Sequence, residues 1–300
     1  MIKIANAPCS WGVLEFEAKT ESPRYEQVLD EIARSGYVGT ELGDWGFMPT
    51  EPGRLRGELR QRGLAMVGAF VTIRMADPHS WNASLERAVV TASLLGAVAD
   101  GRPPVIVLSD EPTADPRRAS AAGRVTGDIS LSKAQWDDVA PAIDRIGRAV
   151  RDETGLRTVF HHHCAGFVET PQEIDALMER TDPALVGLCL DTGHATYGGG
   201  SPADLLKRYR ERIWHVHFKD CDPQVAARAS TQEWDYQTAL RHGLFCELGK
   251  GSVDFAAVLR DLVKTGYDGW IVVEQDVLPA MGAPLDSARR NRHYLEKIGI

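Results

Sequence analysis

The stretch VGLCLDTGHATYGGGSPADLLKRYRERIWHVHFKD, residues 186–220, contains one complete repeat of the fold. It begins with an apolar run at 186–194, continues through a helical pattern at 201–212, and ends with a second apolar run at 213–220. The helical pattern opens with Ser-Pro, and these residues are favoured at the N-cap and at the first helical position. Both apolar runs are nearly continuous, as in parallel strands that are covered on their outer side. The stretch therefore predicts a strand, a helix and a parallel strand.

The same order of patterns recurs along the chain. Eight strand-like runs alternate with eight helical patterns within 300 residues. This number and order predict a single closed (β/α)8 TIM barrel, a fold that typically needs about 250 residues. An open doubly wound sheet is the alternative, but it normally carries a glycine-rich phosphate loop after its first strand, and none is present here. The predicted strands are 2–8, 37–43, 64–71, 103–110, 157–163, 186–194, 213–220 and 269–276, and the predicted helices are 23–36, 51–63, 80–96, 133–155, 170–182, 201–212, 252–266 and 284–299.

No domain boundary interrupts this alternation, so we expect residues 1–300 to form one TIM-barrel domain. Two connections are too long to be simple turns. One lies around 110–132, and the other is an insert at about 221–251 between the seventh strand and its helix. Long strand-to-helix connections in a barrel lie at its catalytic face. Both segments are therefore expected near an active site.

Polar side chains occur at the carboxyl end of every predicted strand, where a barrel gathers its strands around one mouth. One such histidine alone would indicate little, but many together predict a metal site. Asp, Glu and His supply the mixed oxygen and nitrogen ligands that suit Mn²⁺, Co²⁺, Zn²⁺ or Fe²⁺. Burying so many titratable groups without a cation would be costly. The residues are Ser10, Trp11, Glu41, Thr72, Arg74, Ser109, Asp110, His161, His163, Asp191, His194, His215, His217, Lys219, Glu274 and Gln275.

Two short histidine motifs give these strand ends an orientation. Successive side chains on a strand point to opposite faces. In HHH at 161–163, His161 and His163 are therefore expected to face the mouth, and His162 the surrounding helices. In HVH at 215–217, both histidines are expected to point the same way.

The bulk properties exclude several classes of partner. The net charge is −8 and the pI about 5.6, with no basic stripe, so we expect no binding to nucleic acid or to an anionic membrane. No apolar run reaches the ~18 residues of a membrane span, and the N-terminus lacks the apolar region of a signal peptide. Five cysteines without a CxxC motif argue against a disulfide framework and favour the reducing cytoplasm.

Several motifs together resemble one known superfamily. APCSWG, TELG, HHH, LDTGH, HVHFKD and GWIVVEQD are similar to motifs of the xylose-isomerase-like TIM barrels, which include sugar phosphate isomerases and epimerases. The resemblance covers essentially the whole chain, including the long insert after HFKD. LDTGH and HxHxKD are shared across that superfamily and indicate its fold. The triple histidine resembles more specifically the branch of inosose (2-keto-myo-inositol) dehydratases.

The resemblance implies four ligands for one divalent metal ion, one on each of the last four strands. In the epimerases they are Glu, Asp, His and Glu, which fall here on His161, Asp191, His217 and Glu274. Position 161 departs from that pattern, so either His161 or His163 is the ligand on the fifth strand. The change also removes one of two carboxylates that epimerases use for proton transfer. Mn²⁺ or Co²⁺ is the expected ion, with Zn²⁺, Fe²⁺ and Mg²⁺ as alternatives.

The function that this resemblance implies is a metal-dependent hydro-lyase acting on a cyclic polyol ketone of the inosose type. The metal would polarise the ketone, a base would abstract the α-proton, and an acid would assist loss of the β-hydroxyl. Lys219 would orient a hydroxyl or supply positive charge, or else form a salt bridge with Asp220 or another carboxylate. Trp11 would pack on the substrate ring or on the barrel floor. The predicted catalytic residues are Glu41, His163, His194 and Lys219, and the predicted substrate-binding residues are Trp11, Arg74 and His215.

Three alternatives to this function differ in chemistry. A metal-dependent sugar or inosose isomerase or epimerase would share the enediolate but keep the hydroxyl. An endonuclease of the same superfamily would need a basic groove, which the charge of −8 speaks against. A non-catalytic sugar-binding barrel would lack the metal. For the main prediction we expect a small polyol ketone or sugar as substrate, no nucleic-acid or membrane partner, a cytoplasmic location and a homo-oligomer.

Overall fold

The structure is a computed structural model that describes residues 2–13, 23–277 and 282–300. Eight parallel strands close into a barrel, as the alternation of patterns predicts. A separate pair of two-residue antiparallel strands lies outside it. The barrel strands are β1 (Lys3–Asn6), β2 (Gly39–Glu41), β3 (Ala65–Ile73), β4 (Val105–Asp110), β5 (Arg157–His161), β6 (Val186–Asp191), β7 (Ile213–Phe218) and β10 (Trp270–Val273), and the separate pair is β8 (Asp220–Cys221) and β9 (Phe245–Cys246).

The helices surround the barrel and pack on it through their apolar faces. One continuous cluster of buried apolar residues joins the helices to the outward side chains of the strands. A capping box begins the helix at Pro171, because the side chains of Thr170 and Glu173 each bond to the other's backbone amide. The helices are α1 (Tyr25–Arg34), α2 (Pro52–Arg62), α3 (Trp81–Val98), α4 (Pro116–Ser120), α5 (Lys133–Thr154), α6 (Pro171–Arg180), α7 (Thr192–Tyr197), α8 (Pro202–Tyr209), α9 (Pro223–Thr231), α10 (Tyr236–Arg241), α11 (Phe255–Lys264) and α12 (Pro284–Ile298).

Two strands on which the site depends end earlier than the sequence predicts. β5 ends at His161, so the next two histidines lie beyond the ladder. β6 ends at Asp191, because the Asp191 side chain accepts a hydrogen bond from the His194 amide at 2.8 Å and caps α7. His194 therefore lies in a helix and not on the sixth strand. Because a carboxylate at the N-cap stabilises the first turn of a helix, the chain leaves the strand ladder and becomes helical directly after Asp191.

The insert after β7 folds into α9, α10 and strand β9. Its apolar residues form a second, smaller core with the loops that follow β4 and β5, and Tyr236 and Phe245 are fully buried there. Arg124, from the loop after β4, donates hydrogen bonds to the carbonyl oxygens of Ala229 and Trp234 in the insert, both at 3.1 Å. The insert is thus fixed over one side of the barrel mouth.

Among the residues that the structure describes, no helix combines the length and the apolarity of a membrane span.

Candidate functional site

Four buried side chains converge at the carboxyl ends of β5, β6, β7 and β10. One ligand atom from each of His161, Asp191, His217 and Glu274 lies within 4.8 Å of the others. His161 Nε2 is 3.4 Å from Asp191 Oδ2. His217 Nδ1 is 3.2 Å from Glu274 Oε1 and 3.8 Å from Asp191 Oδ2. No more than 9% of any of these residues is exposed, so two imidazoles and two carboxylates share a small volume shielded from water.

Glu41 determines which nitrogen of His217 faces this group. Glu41 Oε1 lies 2.8 Å from His215 Nε2 and 3.0 Å from His217 Nε2. Burial raises the pKa of Glu41, but the two histidines lower it to about 2, so it is a carboxylate that accepts from both rings. In the neutral His217 ring the proton then lies on Nε2, and Nδ1 carries the lone pair. His215 is buried with Glu41, and it does not line the central cavity.

The residues fit a divalent metal ion. His217 Nδ1 lies close to two carboxylates, but among the residues that the structure describes it has no hydrogen-bond partner. A lone pair that faces carboxylates is repelled unless a cation lies between them. Burial lowers the pKa of His217, yet Cys189, Glu274 and Glu41 around it raise that pKa well above its usual range. The site therefore favours positive charge at this point, and its nitrogen and oxygen donors match the preference of first-row transition metals.

A cavity of about 70 Å³ opens onto this group, and His163 lies in its wall. His163 Nδ1 is 2.6 Å from the carbonyl oxygen of Cys164. A carbonyl can only accept, so Nδ1 donates and Nε2 carries the lone pair of the neutral ring. Burial, followed by the nearby His161 and Lys219, holds the pKa of His163 well below its usual range. His163 is thus a neutral imidazole with an unprotonated Nε2.

Lys219 supplies the positive charge beside the candidate metal ligands. Its Nζ lies 3.1 Å from both Glu274 Oε2 and Asp276 Oδ1, and 4.8 Å from the centre of the Phe245 ring. Burial lowers the pKa of Lys219, but Asp276 and Glu274 raise it well above its usual range. The sequence left open a salt bridge to Asp220, whose side chain instead accepts backbone amides, among them those of residues 249 and 251.

His194 joins Lys219 to the loop after β5. Its Nδ1 accepts the backbone amide of Cys164 at 3.1 Å, and its Nε2 lies 3.2 Å from Lys219 Nζ. Because an amide can only donate, the proton of the neutral His194 ring lies on Nε2 and faces the lysine. The contact is a hydrogen bond only when Lys219 is an uncharged amine. It therefore becomes favourable once Lys219 has given up a proton.

The middle histidine of the triplet has a different environment. His162 is fully buried, and its Nε2 accepts the backbone amide of Asp191 at 3.2 Å. Its ring stacks on that of His161, with 5.9 Å between the ring centres and 7° between the planes. Burial lowers the pKa of His162 to about 3. His161 and His163 line the central cavity, whereas His162 does not.

Two predicted substrate-binding residues lie away from the cavity. Trp11 ends a 3₁₀ helix, Pro8–Trp11, so strand alternation does not set its direction, and its Nε1 donates to Glu31 Oε2 at 2.7 Å within the core. Arg74 follows the last residue of β3, where the chain leaves the barrel. Its exposed guanidinium bonds to Glu111 at 2.6 and 2.9 Å. The structure does not bring either side chain to the cluster.

The sequence-based prediction omitted Asp276, which lines the cavity and holds Lys219. Strand alternation carries a signal for it, because Asp276 lies two positions after Glu274 and points the same way in an extended chain.

A second buried ionic group, the loop ion cluster, consists of Arg118, Glu169 and Glu173 and was also not predicted. Arg118 donates to Glu173 Oε1 at 2.8 Å and to Oε2 at 2.9 Å. Glu169 accepts the amides of Gly123 at 2.6 Å and Ala165 at 2.7 Å, and burial raises its pKa to about 7. This cluster ties together the loops after β4 and β5, which form part of the mouth.

Comparison with known proteins places this geometry in a family. A family model described as xylose isomerase-like TIM barrel matches residues 29–298. Curated relatives include an inosose dehydratase of Geobacillus kaustophilus, 33% identical over 99% of this chain and 94% of its own length. Another, from Clostridium tetani, is 31% identical over 99% of this chain and 97% of its own.

Solved structures of this fold include enzymes with different reactions. A probable 3-DHS dehydratase from Bacillus anthracis superimposes with a TM-score of 0.71 at 14% identity, covering 99% of both chains. An L-ribulose 3-epimerase superimposes with a TM-score of 0.70 at 17% identity, covering 99% of this chain and 94% of its own. At these identities the superpositions show the fold. The predicted fold, the predicted resemblance and the prediction of an enzyme related to inosose dehydratases are confirmed, and the chain belongs to the xylose isomerase-like TIM barrel family.

Proposed function

We propose that this protein is a divalent-metal-dependent dehydratase of a cyclic polyol ketone of the inosose type. One observation carries the proposal: the cavity beside the four candidate metal ligands is lined by two of them, His161 and Glu274, together with His163 and Lys219. A base, an acid and an electrophile are the three parts that an elimination next to a ketone needs. Relatives named inosose dehydratase, alignable over nearly the whole chain, support the same substrate class.

His161, Asp191, His217 and Glu274 would hold the ion, with His161 rather than His163 as the ligand on the fifth strand. Two nitrogen and two oxygen donors favour Mn²⁺ or Co²⁺ in this proposal. A bound divalent ion would supply Lewis-acid chemistry, which stabilises negative charge that develops on a ketone oxygen. Glu41 holds the ring of His217 and is itself bound by two imidazoles, so we assign it to positioning rather than to proton abstraction.

His163 is the proposed general base. Its Nδ1 is fixed on the Cys164 carbonyl, which leaves the Nε2 lone pair for the proton on the carbon next to the ketone. The electron pair of that C–H bond becomes the carbon–carbon double bond of the enediolate. The proton stays on His163 as an imidazolium until it passes to solvent.

Lys219 is the proposed general acid. As the C–O bond of the β-hydroxyl breaks, the ammonium gives that oxygen a proton and water leaves. The electron pair of the enediolate forms the new double bond conjugated with the carbonyl. The amine that remains accepts the Nε2 proton of His194 as a hydrogen bond, while Asp276 keeps the lysine in place. Lys219 regains its proton from solvent, so the balance is substrate to unsaturated ketone plus water.

The test separates dehydration from isomerisation, which is the second candidate because epimerases share the fold. The metal-free protein is supplied with Mn²⁺ or Co²⁺ and assayed against a panel of inososes and ketoses in D₂O. We expect a conjugated product that absorbs in the ultraviolet and, if proton abstraction is irreversible, no deuterium in recovered substrate. Interconversion of ketoses or inososes with solvent deuterium on carbon, and without loss of water, would replace the dehydratase by an isomerase.

A matched pair of variants tests the assigned roles. Lys219→Met removes the acid, and His163→Gln removes the base. We expect each to lower kcat by about 100-fold or more, the usual contribution of general acid–base catalysis. Full activity of either variant would remove that residue from the reaction. We also propose that residues 1–300 form one domain, because the insert shares its apolar core with the barrel loops.

A further inference from the structure

The turn that begins at His163 has an uncommon backbone conformation. The carbonyl oxygen of His163 accepts the backbone amide of Gly166 at 3.2 Å, which closes a four-residue turn. Ala165, the third residue of this turn, has a φ of +69°, whereas Cys164 is not left-handed. A positive φ at the third residue alone is typical of a type II turn, which favours glycine or asparagine at that place. Alanine therefore adopts a strained conformation here.

A type I turn would accommodate alanine at lower cost, because both of its central residues have negative φ. The two types of turn differ in the direction of their central peptide, which is rotated by about 150° between them. Here that peptide joins Cys164 to Ala165. Its carbonyl oxygen lies 2.6 Å from His163 Nδ1, and its amide donates to Glu169 Oε2 at 2.7 Å. A type I turn would break both contacts.

We propose that Ala165 is a positioning residue for the base, because its left-handed conformation keeps the ring proton of His163 on Nδ1 and leaves Nε2 free to accept a proton. The inference rests on the proposed function in one respect, since it takes His163 as the base. The Cys164 carbonyl can hold the proton on Nδ1 only while the central peptide keeps its direction. Strained residues persist at functional sites where other contacts hold them, and Glu169 supplies such a contact.

His194 provides an internal reference, because its ring is bound by a different peptide. Its Nδ1 accepts the amide of Cys164 at 3.1 Å, and that amide precedes the central peptide of the turn. Rotation of the central peptide would therefore release His163 and leave His194 bound. A general disturbance of the loop would change both rings.

The first experiment determines the tautomers of both rings by ¹⁵N NMR, which distinguishes protonated from unprotonated ring nitrogens. The protein carries Zn²⁺, because Mn²⁺ and Co²⁺ would broaden the signals, and His163→Gln and His194→Gln assign them. In the wild-type protein we expect the proton of His163 on Nδ1 and that of His194 on Nε2. Ala165→Val should distribute the His163 proton over both nitrogens and leave His194 unchanged, because a β-branched residue disfavours positive φ. Ala165→Gly adopts positive φ freely and should keep the wild-type tautomers.

The second experiment measures turnover in the same variants. Ala165→Val should lower kcat about tenfold to 100-fold, the cost expected for a misplaced catalytic group, with bound metal and KM little changed. Ala165→Gly should retain most of the activity. Glu233→Val is the matched control, because Glu233 also has a positive φ, +52°, but is exposed on the insert. It should lower the temperature of unfolding and leave kcat and both tautomers unchanged.

A wild-type protein with the His163 proton on Nε2 would overturn the role of Ala165, even if Ala165→Val does not fold. An Ala165→Val protein that keeps both kcat and the His163 tautomer would also overturn it, and the dehydratase proposal would stand. A change of tautomer in both rings would show damage to the whole loop and would contradict the specific role. If no ketone is dehydrated but Ala165→Val shifts the proton of His163 alone, the dehydratase proposal fails and Ala165 still determines the tautomer.

Discussion

The loop ion cluster and the four candidate metal ligands are both buried groups of charged residues at the barrel mouth, but they are balanced differently. In the loop ion cluster, the guanidinium of Arg118 is fully buried and binds both oxygens of Glu173. The chain itself supplies the positive charge there. Among the candidate ligands, two carboxylates face imidazole nitrogens. The Lys219 ammonium contacts one oxygen of Glu274, Oε2, and not the oxygen that lies near His217 Nδ1. A buried ionic group whose carboxylates are only partly matched by positive charge from the chain is where an ion from solution is expected to bind.

This difference teaches that burial of charge alone does not distinguish a structural group from a functional one. The deciding feature is whether the lone pairs in the group find donors within the chain. Both oxygens of Glu173 find donors, whereas Nδ1 of His217 and Nδ1 of His161 have no hydrogen-bond partner in the described ranges 2–13, 23–277 and 282–300. Changes in the first group should therefore alter the free energy of unfolding, and changes in the second should alter metal content and turnover.

The largest effect is expected for Asp191→Asn. The substitution removes an anionic ligand from a partly buried cation, so bound metal should fall to background and kcat by about 1,000-fold or more, comparable to the loss of a central electrostatic group. Metal analysis of the purified protein and steady-state kinetics measure both quantities. Asp276→Asn is the matched control, because it disturbs Lys219 and should lower kcat while bound metal stays at the wild-type level. Full metal occupancy in Asp191→Asn would exclude Asp191 as a ligand.

The converse effect is expected for Arg118→Met, which leaves Glu173 buried and unpaired. Breaking a buried ion pair in this way should lower the free energy of unfolding by about 3–5 kcal/mol, with metal content per folded molecule unchanged. Denaturant titration gives the first quantity and metal analysis the second. Adding Glu173→Gln removes the stranded charge and should restore part of the stability. A double variant less stable than Arg118→Met alone would contradict the charge-balance explanation.

A smaller effect should follow from Glu41→Gln. Glutamine carries no negative charge, so its side chain cannot replace the carboxylate oxygen that accepts hydrogen bonds from both His215 and His217. The proton of the His217 ring is then no longer held on Nε2. Loss of such a carboxylate partner typically weakens metal affinity by about 10-fold to 100-fold. Competition with a chelator measures the affinity, and circular dichroism confirms that the barrel is intact. If affinity stays the same while kcat collapses, Glu41 is a proton-transfer residue, as the sequence first indicated.

The smallest effect is expected for His162→Gln, which removes the ring that accepts the Asp191 amide. The cost should be about 1 kcal/mol of stability, the usual value of one buried hydrogen bond, with kcat changed less than about threefold. Thermal unfolding and kcat are measured for both variants. His163→Gln should lower kcat, whereas His162→Gln should lower the stability. A His162→Gln enzyme that folds normally but has lost its activity would contradict the assignment of His162 to stability and of His163 to the reaction.

The sequence was sufficient for the fold, and it also predicted which strand ends lie together at the candidate site, because both depend on local patterns. Asp191, His217 and Glu274 lie where β6, β7 and β10 end, and strand alternation determines on which side each points. Arg74 and Trp11 lie away from the cavity, and since neither lies within a strand, alternation does not determine where their side chains point. Arg118 and Glu173 are 55 positions apart, and no periodic pattern links them. Such contacts depend on how loops pack after the barrel has closed.

The four candidate ligands all lie between residues 161 and 274, on the neighbouring strands β5, β6, β7 and β10. Glu41, which orients His217, comes from β2 in the first part of the chain. A chain emerging from the ribosome therefore completes its ligand set only when most of it has been synthesised, and the ring of His217 is fixed only when β1 and β2 close against β10 and β3. Metal capture should be a late event in biogenesis. Nascent fragments would compete poorly for scarce ions, and the choice of metal would be made by the finished barrel.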